Sequence, residues 1–275
     1  GHLEEAKRMP CRAVTALPGG RIGIAPHSLR AVDPASLRVV LDACPSGPVH
    51  IHAAEQVKEV EDSVAWSGKR PVEWLLDATE IGPRWCFIHA THMTEAETRA
   101  LAATGAVAGL CPITEASLGD GIFNAVDFTR SGGRFGVGTD SNIEITASGE
   151  LKQLEYSQRL RHRARNVLPQ RQGESTGLTL YRAAVAGAAQ ALDRGKGGIA
   201  VDESADFVVL DRNHPDLAFV AGDRWLDAHV FSAGRAVVDQ VYVRGERMVE
   251  AGRHRARGAI AARYASTMRR IAEMA

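Results

Sequence analysis

The chain has 275 residues, enough for one large or two small domains, and its 33 basic and 33 acidic side chains balance. That balance argues against nucleic acid or an anionic membrane surface as the main partner, and no apolar run is long enough to cross a bilayer. Four cysteines, Cys11, Cys44, Cys86 and Cys111, stand without a CxxC or a disulfide-dense pattern, so a soluble, cytoplasmic protein with each thiol a small buried hydrophobe is expected.

Residues 1–20 form an atypical segment without a strand–helix repeat. From residue 21 the rhythm is strand, loop, helix. "RIGIAPHS" reads as a short strand ending in a proline-containing loop, and "DPASLRVVLDAC" as a helix with Asp33 at its cap and Pro34 at its first position. "PVHIH" is a second strand, followed by helical patterns in "EQVKEVEDSV" and "PVEWLLDAT". "WCFIHATH" is a third strand, and in the helix "TEAETRALAATG" Thr94 caps and Gly105 stops. "AVAGLCP" and "RFGVGTDS" complete five strands, before a long helix starting near Ser148. The basic stretch from Arg159 to Arg171 reads as a solvated helix end and loop. After the helix "TLYRAAVAGAAQAL" the texture changes. Residues 195–275 predict a small β-rich subdomain with a hairpin turning at Arg244–Gly245, closed by an amphipathic C-terminal helix.

Buried strands alternating with helices predict parallel α/β architecture. Polar residues gather just after each strand: His27, His52 with Glu55, His89 with His92, Thr114 with Glu115, and Asp140 with Ser141. In a β/α barrel the C-terminal strand ends form the catalytic face, so this placement favours a barrel over residues 21–194. A doubly wound sheet would gather its site at one switch point, and no GxGxxG follows a strand here.

In "PVHIHAAEQ", His50 and His52 share one face of a strand. Taken alone, His52 and Glu55 read as a core and a surface residue. His89 at the next strand end and Asp140 after "GVGT" change that reading, because an aspartate there is expected to be buried and to need an ion partner or a metal. Two histidines, a glutamate and an aspartate on three strand ends suit a mononuclear hydrolytic metal site.

The series "HIHAAEQ", "IHATH", "GLCPITEASLGDGIF" and "GVGTDSN", followed by "SADFVVLD" and "VYVRGERMVEAGRH", resembles the amidohydrolase superfamily in its metal-dependent deaminase branch. Within that branch "APHSLRAV", "HIHAAEQ" and "LGDGIF" resemble the formimidoylglutamate deiminases of histidine degradation. The resemblance implies a TIM-like (β/α)8 barrel, of which this chain carries strands 4–8, with Zn2+ or another divalent metal as cofactor. Carried over, it makes His52 a metal ligand, Glu55 the proton shuttle, His89 the catalytic histidine, and Asp140 both ligand and base. It makes His27 and Arg30 substrate-binding residues, and an arginine fork suits a small dicarboxylate substrate. His50 has no role in that pattern and reads as a hydrogen-bonded structural histidine. His92 reads as supporting or surface, and Glu115, Ser117 and Asp120 receive no role. A homodimer is a further implication. The rival readings are an aminohydrolase for a ring amine and a non-catalytic chain.

The same resemblance expects three earlier strands and a His-x-His metal pair, and "GHLEEAKRMPCRAVTALPGG" contains neither. The expectation is therefore a C-terminal portion carrying two of four metal ligands, inactive or nearly so by itself. It would be a proteolytic or chosen fragment, a natural truncation, or a chain completed by another polypeptide.

Overall fold

The computed structural model of the chain describes residues 14, 19–141 and 143–274. Cys11 and most of the atypical N-terminal segment lie outside the described residues. The first helix, α1 (Pro34–Ala43), forms where its cap predicts: the Asp33 carboxylate accepts the Ala35 and Ser36 amides, with proline opening the first turn. Strand β1 (Val49–Ala53) follows, then helices α2 (Val57–Ser67) and α3 (Pro71–Ala78). Next come β2 (Trp85–His89), α4 (Glu95–Ala103) and β3 (Val107–Leu110). The Thr94 hydroxyl and the Glu97 carboxylate close a reciprocal cap at the start of α4. Helices α5 (Pro112–Leu118) and α6 (Ala125–Arg130) lead to β4 (Arg134–Val137), then α7 (Ala147–His162) and α8 (Thr176–Ala191).

The four strands form one parallel sheet in the order β1-β2-β3-β4. Five strands were expected, and the first is corrected: "RIGIAPHS" makes only an isolated parallel bridge, Ile24 to Val49. Its backbone still runs beside β1, since His50 N donates to Ile24 O and His52 N to His27 O, each at 2.9 Å. Pro26 interrupts the run and has no amide to extend a ladder.

The two faces of the sheet differ. Val49, Ile51 and Ala53 of β1 turn into the main core with Phe87, Leu75, Leu101 and Phe128, whereas His50 and His52 on the opposite face remain half-buried. Cys86 and Val107, in register with His50, are covered on that second face by Ala191 at the end of α8. Helix α8 comes this close because Gly187 and Gly136 carry no side chain, and a Cβ on Gly187 would lie 1.9 Å from the Phe135 carbonyl oxygen. The C-terminal strand ends therefore stay open above a floor formed by α8.

Beyond α8 lies an antiparallel sheet of β5 (Phe207–Leu210), β6 (Val238–Val243), β7 (Glu246–Glu250) and β8 (Arg253–His254). Its hairpin turns at Arg244 and Gly245, both at positive φ as a two-residue turn requires. Two details differ from the expectation. Between β5 and β6 the chain forms helix α9 (Arg224–Ala228) and further helical turns, and Leu217, Ala233 and Val237 make a small core there. The terminal helix α10 (Arg257–Ala272) buries none of its residues, so it does not close the subdomain. Its stripe of Ile260, Tyr264, Met268 and Ile271 is exposed because no described element packs on it.

Candidate active site

At the C-terminal edge of the parallel sheet the backbone leaves its ordinary conformations. Ala54, His89, Ala90 and Asp140 all have positive φ, a region that costs a non-glycine residue of order 1–3 kcal/mol each. Strain repeated at three strand ends needs compensation, and side chains supply it. The buried Glu59 carboxylate accepts the Ala54 amide on one oxygen and the Glu55 amide on the other, both at 2.9 Å. His92 N donates to Ala54 O at 2.9 Å and Ala90 N to Ala53 O at 3.1 Å, tying the β1 and β2 turns together.

These turns bring His27, Arg30, His52, Glu55 and His89 together. The His27 and His52 rings lie 4.9 Å apart between centroids, and the His52 and His89 rings 5.6 Å apart. His52 Nδ1 donates to the His27 carbonyl oxygen at 2.7 Å, so Nε2 carries the lone pair needed for a metal. Arg30 Nη2 donates to Glu55 Oε2 at 2.7 Å, and Glu55 Oε1 lies 3.5 Å from His89 Nε2. His27 Nδ1 is 2.8 Å from the Ser28 hydroxyl, which also accepts the Arg30 amide at 3.2 Å.

His89 is buried between carboxylates. Its Nδ1 is 3.3 Å from Glu115 Oε1 while Nε2 faces Glu55. Burial disfavours the protonated ring, but the Glu115 hydrogen bond and the charges of Glu55, Glu115 and Asp140 outweigh it and hold the imidazole above its ordinary range. Asp140 was expected to be buried and is exposed instead, on the open side of the strand ends. Its carboxylate still groups with His89 and Cys111, whose ligand atoms all lie within 4.8 Å of one another. Donors at that spacing could hold a divalent transition metal, but His52, the histidine expected as a ligand beside Asp140, is not in this group. Burial, with Glu115 and Asp140 nearby, pushes the Cys111 thiol up, so without a metal it stays protonated.

Other polar residues of the strand ends divide by geometry. His50 lies below the site, and its Nε2 donates to Ala191 O at 2.8 Å. His92 donates through Nε2 to Asp120 O at 2.7 Å, away from the other histidines. Thr114 and Ser141 join their hydroxyls at 2.9 Å, linking α5 to the turn after β4.

Three contributors escaped sequence reasoning. Glu59 is not singled out within its helical pattern, Glu115 receives no role, and Cys111 reads as a small buried hydrophobe. None of the three carries a usable local signal, since Glu59 acts on backbone amides of the preceding turn and Glu115 reaches His89 from another strand end.

The Amidohydrolase family model matches residues 7–248. The formimidoylglutamate deiminase of Pseudomonas aeruginosa is 49% identical over 92% of this chain, which covers 56% of that protein. A 5-methylthioadenosine/S-adenosylhomocysteine deaminase of Halobacterium salinarum is 32% identical over 72% of the chain, covering 46% of that protein. Among solved structures, an amidohydrolase from Brucella melitensis superposes with a TM-score of 0.88 at 54% identity, over 93% of this chain and 57% of its own. An adenosine deaminase from Xanthomonas campestris with bound zinc gives 0.79 at 26% identity, over 90% and 57%. The chain thus spans about half the length of these relatives.

Proposed function

The chain belongs to the amidohydrolase family, and from that premise we propose that it is part of a metal-dependent deaminase converting N-formimidoyl-L-glutamate and water to N-formyl-L-glutamate and ammonia. The observation that carries this reading is Glu55 standing between a guanidinium and an imidazole, 2.7 Å from Arg30 and 3.5 Å from His89. A proton-moving carboxylate is thereby placed beside both a carboxylate binder and a group able to meet the developing charge.

His52 and Asp140 would hold the divalent metal, zinc by this reading, which supplies Lewis-acid polarisation of the formimino group and acidifies the attacking water. Asp140 takes the proton of that water as its oxygen bonds to the formimino carbon. His89, buried beside Glu55 and Glu115, would donate a hydrogen bond to the tetrahedral adduct. Glu55 would carry both protons of the water to the formimino nitrogen, first the one released to Asp140 on attack and then that of the adduct hydroxyl, so that the nitrogen leaves as ammonia when the C–N bond breaks and the carbonyl forms. Arg30 and His27 hold a substrate carboxylate, and Arg30 can do so with paired donors.

The four-stranded parallel sheet and its open face support a part of a (β/α)8 barrel over residues 21–194, with 195–275 as an accessory unit. A cytoplasmic homodimer completes the reading; no helix among the described residues is long and apolar enough to cross a membrane. Because the chain covers 56% of the deiminase it matches, the 275 residues alone are expected to turn over little or no substrate. The test is ammonia release from N-formimidoyl-L-glutamate and from guanine, for the 275-residue chain and for a version extended to its relatives' length. Activity of the extended protein on the amidine alone supports the proposal. Preference for guanine replaces it with a ring-amine reading, and full activity of the short chain refutes the expected incompleteness.

A further inference from the structure

The Arg30–Glu55 contact joins two groups to which the proposed function gives different tasks, so a substrate carboxylate and Glu55 compete for the same guanidinium. Glu55 Oε2 accepts Arg30 Nη2 at 2.7 Å, and Oε1 faces His89 Nε2 at 3.5 Å. The guanidinium bond fixes the orientation of the carboxylate and occupies one of its acceptor positions on the side from which Arg30 would meet a substrate. Resting on that functional reading, we propose that Arg30 and Glu55 form a substrate-operated latch. The ion pair holds Glu55 idle until a carboxylate of the substrate takes Arg30 in its place.

The surroundings allow the exchange. The contact is single, one nitrogen to one oxygen, while Arg30 Nε turns to the Ser28 hydroxyl at 3.4 Å and lies 3.9 Å from Glu59 Oε2. A substrate carboxylate can instead meet the guanidinium fork with two parallel hydrogen bonds, a stronger arrangement than the one it displaces. The Arg30 side chain is 34% exposed and that of Glu55 12%, so an anion reaches the pair from the arginine side. Release of Glu55 need not disturb the turn beneath it, because Glu59 holds the Ala54 and Glu55 amides independently at 2.9 Å. Selectivity would then appear in turnover as well as in binding. An amidine without the carboxylate could reach the strand ends yet leave Glu55 latched.

The latch makes a prediction that needs no turnover. In the 275-residue protein, binding of N-formyl-L-glutamate is measured by NMR titration for wild type, Glu55→Gln, Arg30→Gln and the double variant. If the ligand must break the pair, Glu55→Gln frees Arg30 and tightens binding about tenfold. In the Arg30→Gln background the same change is expected to alter Kd by less than about twofold, because no latch remains. Arg30→Lys, which keeps the charge but loses the fork, provides a second background if Arg30→Gln is misfolded by its amide spectrum, and there the tightening is expected to shrink. Two outcomes overturn the latch while leaving the functional reading in place: wild type binds and Glu55→Gln leaves Kd unchanged, or the tightening persists in full without Arg30, as simple charge repulsion predicts. If none of the folded proteins binds the dicarboxylate, the latch falls, while the functional reading is decided by ammonia release from the extended protein.

Discussion

Glu150 offers a test of the electrostatics beneath the site. It lies on α7, fully buried at 0% exposure, with Oε2 accepting the Ile113 amide at 3.0 Å and Oε1 without a hydrogen-bond partner. Burial, reinforced by the charges of Glu115, Glu144 and Asp140 and opposed by the Ile113 amide, pushes its carboxyl from 4.5 up to about 7. The folded state thus holds this proton more tightly than the unfolded chain does. The stability from the neutral carboxyl is fully present below pH 4.5 and is lost as pH rises through about 7. A displacement of that size corresponds to about 3 kcal/mol. Glu150→Gln keeps an oxygen for the Ile113 amide and cannot ionise. Urea unfolding of both proteins at pH 5 and pH 8 cancels in the difference the contributions of groups that do not interact with Glu150. Relative to wild type, the variant is expected to gain 2–3 kcal/mol, roughly, between the two conditions. Parallel stability curves across this range would show that Glu150 ionises at no cost, and the reasoning would fail.

Gly187→Ala is expected to cost at least about 3 kcal/mol, read by urea unfolding, because its Cβ would meet the Phe135 carbonyl at 1.9 Å and backbone cannot yield as a side chain can; a change below about 1 kcal/mol would disprove the close packing of α8 on β4. Glu59→Gln replaces one of two acceptor oxygens by a donor facing an amide, and a loss of about 1–3 kcal/mol is expected, with faster hydrogen exchange at Ala54 and Glu55. Unchanged exchange there would mean that the turn does not depend on Glu59. Asp140→Asn is expected to lower zinc retention at least about tenfold by elemental analysis after dialysis, since it removes the charged oxygen donor near His89 and Cys111; equal retention would place any bound metal elsewhere.

Much of the fold was legible because its signals are local. Asp33–Pro34 and Thr94 with Glu97 cap helices through contacts within four residues, and Arg244–Gly245 turns a hairpin by its own backbone preference. Alternating burial in "VHIHA" put His50 and His52 on one face, and the structure separates them by depth. The first expected strand failed where Pro26, without an amide, interrupts "RIGIAPHS", and only Ile24 pairs. The terminal helix departs from expectation for a non-local reason. Its apolar stripe is evident in sequence, yet burial requires a surface to meet, and no described element provides one.

For the site the division is similar. By itself the sequence determined that histidines and acids follow the strands, since strand period and turn residues are properties of short stretches, and parallel strands carry their ends to one edge. Only the tertiary structure decided which of those groups touch. Glu115 reaches His89 across 26 positions of chain, Arg30 reaches Glu55 across 25, and His50 meets the end of α8 across 141. Such contacts depend on positive-φ turns, register and the approach of α8, which the whole packed sheet sets together and no window of residues encodes.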